Sequence, residues 1–513
     1  MEPHRVSVGN GPVSFADVLA VTRHGAPVVL SEEALESIDR ARAVVEDLAA
    51  AATPVYGIST GFGALATRHI PNEMRAQLQK SLVRSHAAGS GPEVEREVVR
   101  GLMLLRLSTL ATGRTGIRRE TAQLLADLLT HQITPVVHEY GSLGCSGDLA
   151  PLAHCALALM GEGEVRDAAG DLMPAEKALA AAGLEPVELA AKEGLALING
   201  TDGMLGMLVL AIGDLRMLLR TADIAAAMSV EGQLGTDRVF APELQALRPH
   251  PGQTLSAANL TALMADSAIV ASHRTGDCNR VQDAYSLRCS PQVHGAARDT
   301  VEYAATVAER ELCSAVDNPV VVDGRVESNG NFHGAPVAYV LDFLAIVAAD
   351  VASISERRTD RFLDKSRNHG LNPFLAADPG VDSGLMIAQY TQAAIVSELK
   401  RLAHPASVDS IPSSAMQEDH VSMGWSAARK LRSSVDGLTR VVAIEVMTAA
   451  RALDMRGLHP SPATAAVVRT LREGGVQGPG PDRHLSPEIE AAVSLVASGA
   501  VLAAAESVIG ELR

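Results

Sequence analysis

The chain has 513 residues, 47% hydrophobic but only 3% aromatic, with a formal net charge of −16. That acidic balance disfavours a nucleic-acid partner. The aliphatic, aromatic-poor composition points to many closely packed helices in a few large units rather than to three average domains. In chain order, residues 5–30 alternate weakly and promise short β pieces. Ser31 with Glu32 and Glu33 opens a helix to about Ala51. The stretch 53–63 reads as a loop, and helical patterns follow at about 72–88, 94–111 and 117–131. A Gly/Ser loop then leads into a buried helix at 149–160, and 163–193 reads as a small peripheral section with turns and a short hairpin.

From Gly203 onward, long helical patterns recur at about 203–231, 256–273, 292–314, 335–358, 383–403, 422–454 and 485–511. Polar loops separate them at 274–291, 315–333, 359–382, 405–421 and 456–484. Several of these helices exceed twenty residues without a repeated motif, which argues for a bundle rather than a solenoid. The expected fold is mainly α: a long-helix bundle (203–513) with a smaller mixed N-terminal head (1–202). Five cysteines (Cys145, Cys155, Cys278, Cys289, Cys313) form no C-x-x-C pair, which fits free thiols in a reducing compartment. Met1-Glu2-Pro3-His4-Arg5 has no apolar signal core, and no run reaches ~18 uninterrupted apolar residues. The expectation is a soluble cytoplasmic protein without a membrane partner.

The stretch Gly141-Ser142-Leu143-Gly144-Cys145-Ser146-Gly147-Asp148-Leu149-Ala150-Pro151-Leu152-Ala153-His154 turns from glycines and serines into an apolar helical pattern. Asp148 stands where a helix N-cap belongs, and Pro151 falls in the first turn, where a missing N–H costs nothing. The loop therefore ends on the positive pole of a buried helix, a place to hold an anion or sharpen an electrophile. This run resembles the loop of the histidine/phenylalanine ammonia-lyase family, in which an Xaa-Ser-Gly tripeptide closes to a methylidene-imidazolone. The resemblance implies that the Gly147 nitrogen attacks the Cys145 carbonyl carbon, whose oxygen leaves as water, and that Ser146 loses a second water. An exocyclic methylidene electrophile results, with no external cofactor. Glycine suits the tight closure at 147. Cys145 replaces the commoner alanine, but only its carbonyl enters the ring, so its thiol is a bystander.

Further segments between about residues 50 and 455 carry the same resemblance. Tyr56-Gly57-Ile58-Ser59-Thr60-Gly61-Phe62-Gly63 lacks the Gly-Lys-Ser/Thr ending of a phosphate loop. It is similar to the family's tyrosine-bearing lid, which implies that Tyr56 lies near the substrate amine. Leu197-Ile198-Asn199-Gly200-Thr201 sets an amide between apolar flanks. A buried Asn ordinarily satisfies backbone groups; the resemblance implies that Asn199 hydrogen-bonds the imidazolone. In Gln282-Asp283-Ala284-Tyr285-Ser286-Leu287-Arg288, one helical turn points Tyr285 and Arg288 to one side. A guanidinium suits bidentate capture of a carboxylate, and a tyrosine among cations can act as a base.

The resemblance makes Arg288 the carboxylate clamp, Tyr285 the base for the β-proton and Gln282 a member of their network. Phe332, in Asn329-Gly330-Asn331-Phe332-His333-Gly334, becomes an aromatic wall beside the reacting atoms. His333 has no second ligand at i+4 and no zinc-spaced cysteine, so no metal is expected.

Two positions bear on the substrate. Ser413-Ser414-Ala415-Met416 has Glu418 and Asp419 behind it where the serine loop of fumarase-like lyases carries Lys and Asn. The segment is similar instead to the histidine-acting branch of the family, where an acid holds an imidazole N–H. Ser85-His86 resembles that branch too. Unsatisfied polar groups cost ~1–3 kcal/mol each, enough to choose a substrate. His86 and Glu418 are thus expected to bracket the ring of L-histidine, with trans-urocanate as product. The alternative is a phenylalanine or tyrosine ammonia-lyase, or an aminomutase, with the same prosthetic group. The resemblance also implies an ammonia-lyase/fumarase-like architecture and a homotetramer with shared active sites.

Overall fold

The computed structural model describes residues 5–50, 55–61, 65, 67–144, 147–274 and 281–513. It is mainly α, and its contacts divide the chain into two compact units. One gathers Met1–Leu210, Ala305–Asp342 and Pro405–Arg429; the other gathers Ala211–Ala304, Phe343–His404 and Lys430–Arg513.

In the first unit, strands Val6–Val8 and Val28–Leu30 pair in parallel through the helix Phe15–His24. Ser14 Oγ accepts from the Asp17 N–H at 3.1 Å while the Asp17 carboxylate accepts from the Ser14 N–H at 2.9 Å. This reciprocal box satisfies two donors that a helix start leaves orphaned. The helix Arg96–Ala111 is buried at every residue from Val98 to Ala111. Its two interior guanidiniums are held chiefly by carbonyls: Arg100 donates to Val21 O at 2.9 Å, and Arg106 donates to Asn199 O at 2.6 Å and Val316 O at 2.7 Å, with the Asp202 carboxylate 3.4 Å from Arg106 Nε. A buried charge without such partners is strongly destabilising. Helices Arg75–His86, Leu149–Leu159 and Glu193–Ile198 pack mutually. The section 163–193 holds the expected hairpin, Glu164–Arg166 with Leu172–Pro174.

The second unit builds its polar interior around acids. Glu445 takes Arg358 through two contacts at 2.5 and 2.9 Å and the hydroxyls of Ser229 and Ser355 at 2.7 and 2.6 Å. Asp223 takes His294, Arg298, Ser256 and Asn259. The long helices Asp202–Gly232, Ser290–Leu312, Ala335–Leu363 and Gly424–Arg456 each supply residues to both units. By length and composition Ala335–Leu363 is apolar enough to cross a membrane, yet 61% of its most apolar window is buried within the protein.

Several elements differ from the sequence expectation. The stretch 315–333, expected as a polar loop, holds the hairpin Val320–Val322 with Arg325–Glu327. Its turn residues Asp323 and Gly324 have φ of 49° and 73°, the two-residue Asp-Gly turn whose twist matches paired strands. The loop expected at 456–484 contains the helix Pro462–Glu473, started by Ser461, whose Oγ accepts from Thr464 N at 3.1 Å. Ser before Pro is a helix-start signal that outweighs the nearby glycines. The pattern at 485–511 breaks at Gly499 (φ 76°) into Ser486–Ala497 and Ala500–Ile509, bent by 57°. Likewise 256–273 resolves into Pro251–Leu263 and Ala268–Ala271.

Candidate active site

Cys145 and Ser146 lie outside the described residues, so the site is defined by what surrounds them. Gly144 and Gly147 bridge to each other, and Gly147 bridges in turn to Gly200. Gly147 has φ 76°, and a Cβ there would collide with the Gly200 carbonyl oxygen. Only glycine fits. The Asp148 N–H donates to that same oxygen at 2.7 Å.

Asp148 occupies the N-cap position of Leu149–Leu159, as expected, but its side chain does not cap that helix. The carboxylate accepts instead from Gly203 N and Met204 N, both at 2.9 Å, and from Ser142 Oγ at 3.0 Å. It caps the helix Asp202–Gly232, whose first-turn donors are buried here and need an acceptor. Burial raises the Asp148 pKa to about 7, against those three hydrogen bonds and with the help of the Asp202 charge.

Asn199 is buried. Its Nδ2 donates to Asn318 O at 2.8 Å and lies 3.5 Å from Asp317 Oδ1, while its own Oδ1 has no partner among the described residues. Asp317 pairs with Lys192 at 2.6 Å, and both side chains are fully buried. Asn318 Oδ1 accepts from Asn329 N at 2.9 Å, and Asn329 Nδ2 donates to Asp317 O at 3.0 Å. Asn331 N then donates to Asn329 Oδ1 at 2.9 Å, just ahead of the half-buried Phe332. Tyr56 is half-buried as well. Its neighbour Gly57, φ 76°, closes on Leu195 and Pro319. Ile58 is buried beside Val321 in an apolar cluster with Ala41 and Val45. The Tyr56 turn is therefore seated on the same 317–321 stretch that holds Asn199.

His86 ends the helix Arg75–His86, with Nδ1 2.9 Å from Leu82 O and 3.2 Å from Ser85 Oγ. Burial lowers its pKa, while the Leu82 carbonyl and the Glu418 charge both act in the opposite direction. Glu418 is thus close enough to the imidazole to be felt. Its carboxylate accepts from Ser413 Oγ at 3.0 Å, and Ser413 N donates to Glu418 O at 2.9 Å. The turn so closed contains Ser414, Ala415 and Met416 at φ of 48°, 52° and 70°. Behind it, the His420 ring stands 5.4 Å from that of His333. Gly334 and Gly424 both close on Met204, and Ser422 Oγ lies 3.5 Å from Gly144 O. The segment 413–424 is in this way stitched to the glycine loop and to 329–334.

These surroundings fit a small planar ring made from residues 145–147. Gly147 is clasped by the Gly200 backbone, and Asn199 keeps an acceptor unspent among the described residues.

Gln282, Tyr285 and Arg288 belong to the second unit. Tyr285–Arg288 is a single helical turn in which the Arg288 guanidinium carbon sits 4.5 Å from the Tyr285 ring centroid, a cation–π arrangement. Arg288 Nε donates to Asp283 O at 3.0 Å, and Asp283 accepts from Thr236 N at 2.7 Å. Arg358 Nη1 reaches Ser286 O at 3.3 Å and anchors the turn. Tyr285 is 72% exposed, and Gln282 is exposed.

Sequence reasoning does not single out Lys192, Asp317 or Arg106. The available signal is faint: a charged Lys192-Glu193 pair directly before the wholly buried Gly194-Leu195-Ala196-Leu197-Ile198.

The sequence profile described as aromatic amino acid lyase matches residues 13–473. The chain is 66% identical over 512 residues to a histidine ammonia-lyase of Streptomyces coelicolor, covering 99% of this chain and 100% of that one. Its structure is similar to that of histidine ammonia-lyase from Trypanosoma cruzi, with a TM-score of 0.90 and 38% identity over 99% of this chain and 96% of that one. It is also similar to tyrosine aminomutase from Streptomyces globisporus, with a TM-score of 0.93 and 36% identity over 99% and 100% of the two chains. A profile match over most of the sequence, and this identity over nearly all of it, decide the matter: the chain belongs to the aromatic amino acid lyase family.

Proposed function

We propose that this protein eliminates ammonia from L-histidine to give trans-urocanate. The observation that carries the choice of substrate is the full-length similarity to a histidine ammonia-lyase, and the Glu418 charge felt at the half-buried His86 agrees with it. The His86 Nδ1–H donates to Leu82 O, which fixes the tautomer and leaves Nε2 for the substrate ring. Glu418, steadied by Ser413, accepts a ring N–H. A phenyl ring in their place leaves both groups unpaired, at ~1–3 kcal/mol each.

The remaining roles follow from the chemistry of each group. Arg288 takes the substrate carboxylate through its terminal nitrogens, since its Nε is already committed to Asp283. Tyr285, beneath the guanidinium, removes the β-proton, with Gln282 in the same polar network. Phe332 walls the reacting atoms and Tyr56 contacts the amine. Cys145, Ser146 and Gly147 are the residues that would form the methylidene-imidazolone, which supplies an electrophile to an amine that otherwise leaves poorly. The positive pole of Leu149–Leu159 favours negative charge beside the tripeptide, and Asn199 adjoins the Gly200 that clasps Gly147.

The working form is a cytoplasmic homotetramer with shared active sites. Phe343 and Ile346 on Ala335–Leu363 stay 44% and 47% exposed, and Ile387 and Tyr390 on Met386–Leu402 stay 58% and 59% exposed. Each pair sits at i, i+3, which makes an apolar stripe suited to cover by another subunit. Purified protein supplied with L-histidine, L-phenylalanine and L-tyrosine in parallel, with product absorbance as readout, tests the substrate. Turnover of L-histidine is expected; comparable turnover of either other amino acid refutes the assignment. Light scattering checks the assembly, and a monomeric active enzyme refutes the shared site.

A further inference from the structure

We propose that the buried Lys192–Asp317 ion pair is the device that sets the orientation of the Asn199 amide, which makes Lys192 and Asp317 positioning residues of the lyase reaction. The inference rests on the proposed role of Asn199. Both charged side chains are completely removed from solvent and lie 2.6 Å apart. Such a pair is poor evidence of a stability gain, because desolvating two ions offsets their attraction, and an apolar pair of similar volume often does as well. Charges kept there call for another reason.

Lys192 is held at φ 71° at the start of the helix Glu193–Ile198, a conformation that costs a non-glycine residue energy. That backbone sets the lysine to meet Asp317. The carboxylate is then fully used: Oδ2 accepts from Lys192, while Oδ1 accepts from the Asn318 N–H at 2.7 Å and stands 3.5 Å from Asn199 Nδ2. Asn318 O accepts the other, shorter bond from Asn199 Nδ2 at 2.8 Å.

Two acceptors on one edge of the Asn199 amide dictate its orientation, since its nitrogen must face them and its oxygen must face the other way. That oxygen is buried and has no partner among the described residues, a costly state that buried polar atoms ordinarily avoid. Arg106 fixes the backbone of the same residue through Asn199 O, and the next residue, Gly200, is bridged to Gly147. The amide is therefore locked on both main chain and side chain beside the tripeptide. Burial pushes the Lys192 ammonium down and the Asp317 carboxyl up, so neither tolerates loss of its partner alone.

The test changes both members together. Lys192→Met with Asp317→Leu removes the charges and the acceptor, and loss of both charges at once is not expected to unfold the protein. Lys192→Met with Asp317→Asn removes the charges but keeps an acceptor oxygen for Asn199. Displacement of a catalytic group by about 1 Å costs on the order of 100-fold. The first pair is expected to lose about 10- to 100-fold in kcat, with KM, melting temperature and the near-ultraviolet absorption of the imidazolone retained. The second is expected to recover most of the loss. In an Asn199→Ala background the first pair should cause no further fall in kcat.

Equal losses in the two pairs, wild-type kcat in the first, or disappearance of the ring absorption overturn the inference. If Asn199→Ala itself retains full kcat, the proposed role of Asn199 fails, and the positioning idea fails with it. If Asn199→Ala is impaired while the first pair is not, only the positioning idea is lost.

Discussion

Around Asn199 and Asp148 the side chains are almost wholly withdrawn from solvent, and the Asn199 amide nitrogen and the Asp148 carboxylate are bound to other parts of the protein, while Asn199 Oδ1 has no partner among the described residues. The turn Tyr285–Arg288 is the reverse: its tyrosine is 72% exposed, and its guanidinium spends only Nε on the protein among the described residues. Under the proposed function the two regions face different tasks. A backbone that must be pressed into a ring needs rigid, dry surroundings with a dipole already in place. A group that must seize an incoming carboxylate needs unspent donors and an approach. On the proposed roles, enclosure and openness thus separate what would prepare the electrophile from what would recognise and deprotonate the substrate.

That separation can be broken at either end. The largest effect is expected for Ser146→Ala, which removes the hydroxyl that must leave for the methylidene to form. Activity should fall by more than about 1,000-fold, and intact mass should lack the loss of two waters expected of the parent. An active Ser146→Ala protein without that mass change ends the electrophile account. In the open region, Arg288→Lys keeps the charge but loses the forked donor geometry. It should raise KM for L-histidine by about 10- to 100-fold and change kcat less. A loss confined to kcat would move Arg288 from substrate capture to the chemical step.

A smaller effect is expected at the recognition pair. Glu418→Gln keeps the size of the side chain and an acceptor oxygen but removes the charge that acts on His86. Catalytic efficiency toward L-histidine should drop by about 10-fold, as for one weakened polar contact. His86→Leu should drop it further and narrow the preference over L-phenylalanine. Unchanged substrate preference in both variants would place recognition elsewhere.

The legibility of these parts differs for physical reasons. The Gly/Ser loop and the Tyr285/Arg288 spacing are local: a left-handed glycine and a three-residue offset are written in consecutive residues, and Gly147 and the 4.5 Å guanidinium–ring contact match them. The closeness of His86 and Glu418 spans more than three hundred positions and became readable only through the family resemblance. Lys192 and Asp317 escape notice because each lone charge looks like solvent-facing polarity, and only the tertiary fold shows that both are buried. Asp148 was half legible. Its N-cap position is local, but the donors it serves, Gly203 and Met204, belong to another helix. The missed hairpin at 320–327 and helix Pro462–Glu473 are a different case, since Asp323-Gly324 and Ser461-Pro462 carried local signals that the surrounding loop-like polarity masked.

Asp148 also yields the finest test of how enclosed the first region is. Its carboxyl titrates at about 7 in the folded protein against an ordinary 3.8, chiefly through burial. A raised carboxyl pKa means that the folded state holds its proton more tightly than the unfolded chain does. The associated stability is therefore fully present below about pH 4, declines as pH rises, and is exhausted above about pH 7. Asp148→Asn retains an acceptor oxygen for Gly203 and Met204 and cannot ionise. The melting temperature of this variant relative to the parent should thus climb between pH 5 and pH 7 and level off beyond it, whatever its offset from the lost carboxylate bonds. Parallel melting curves across that window would mean that Asp148 is ionised throughout, with the three hydrogen bonds outweighing burial, and that the ground beneath the glycine loop is more polar than its exclusion from water implies.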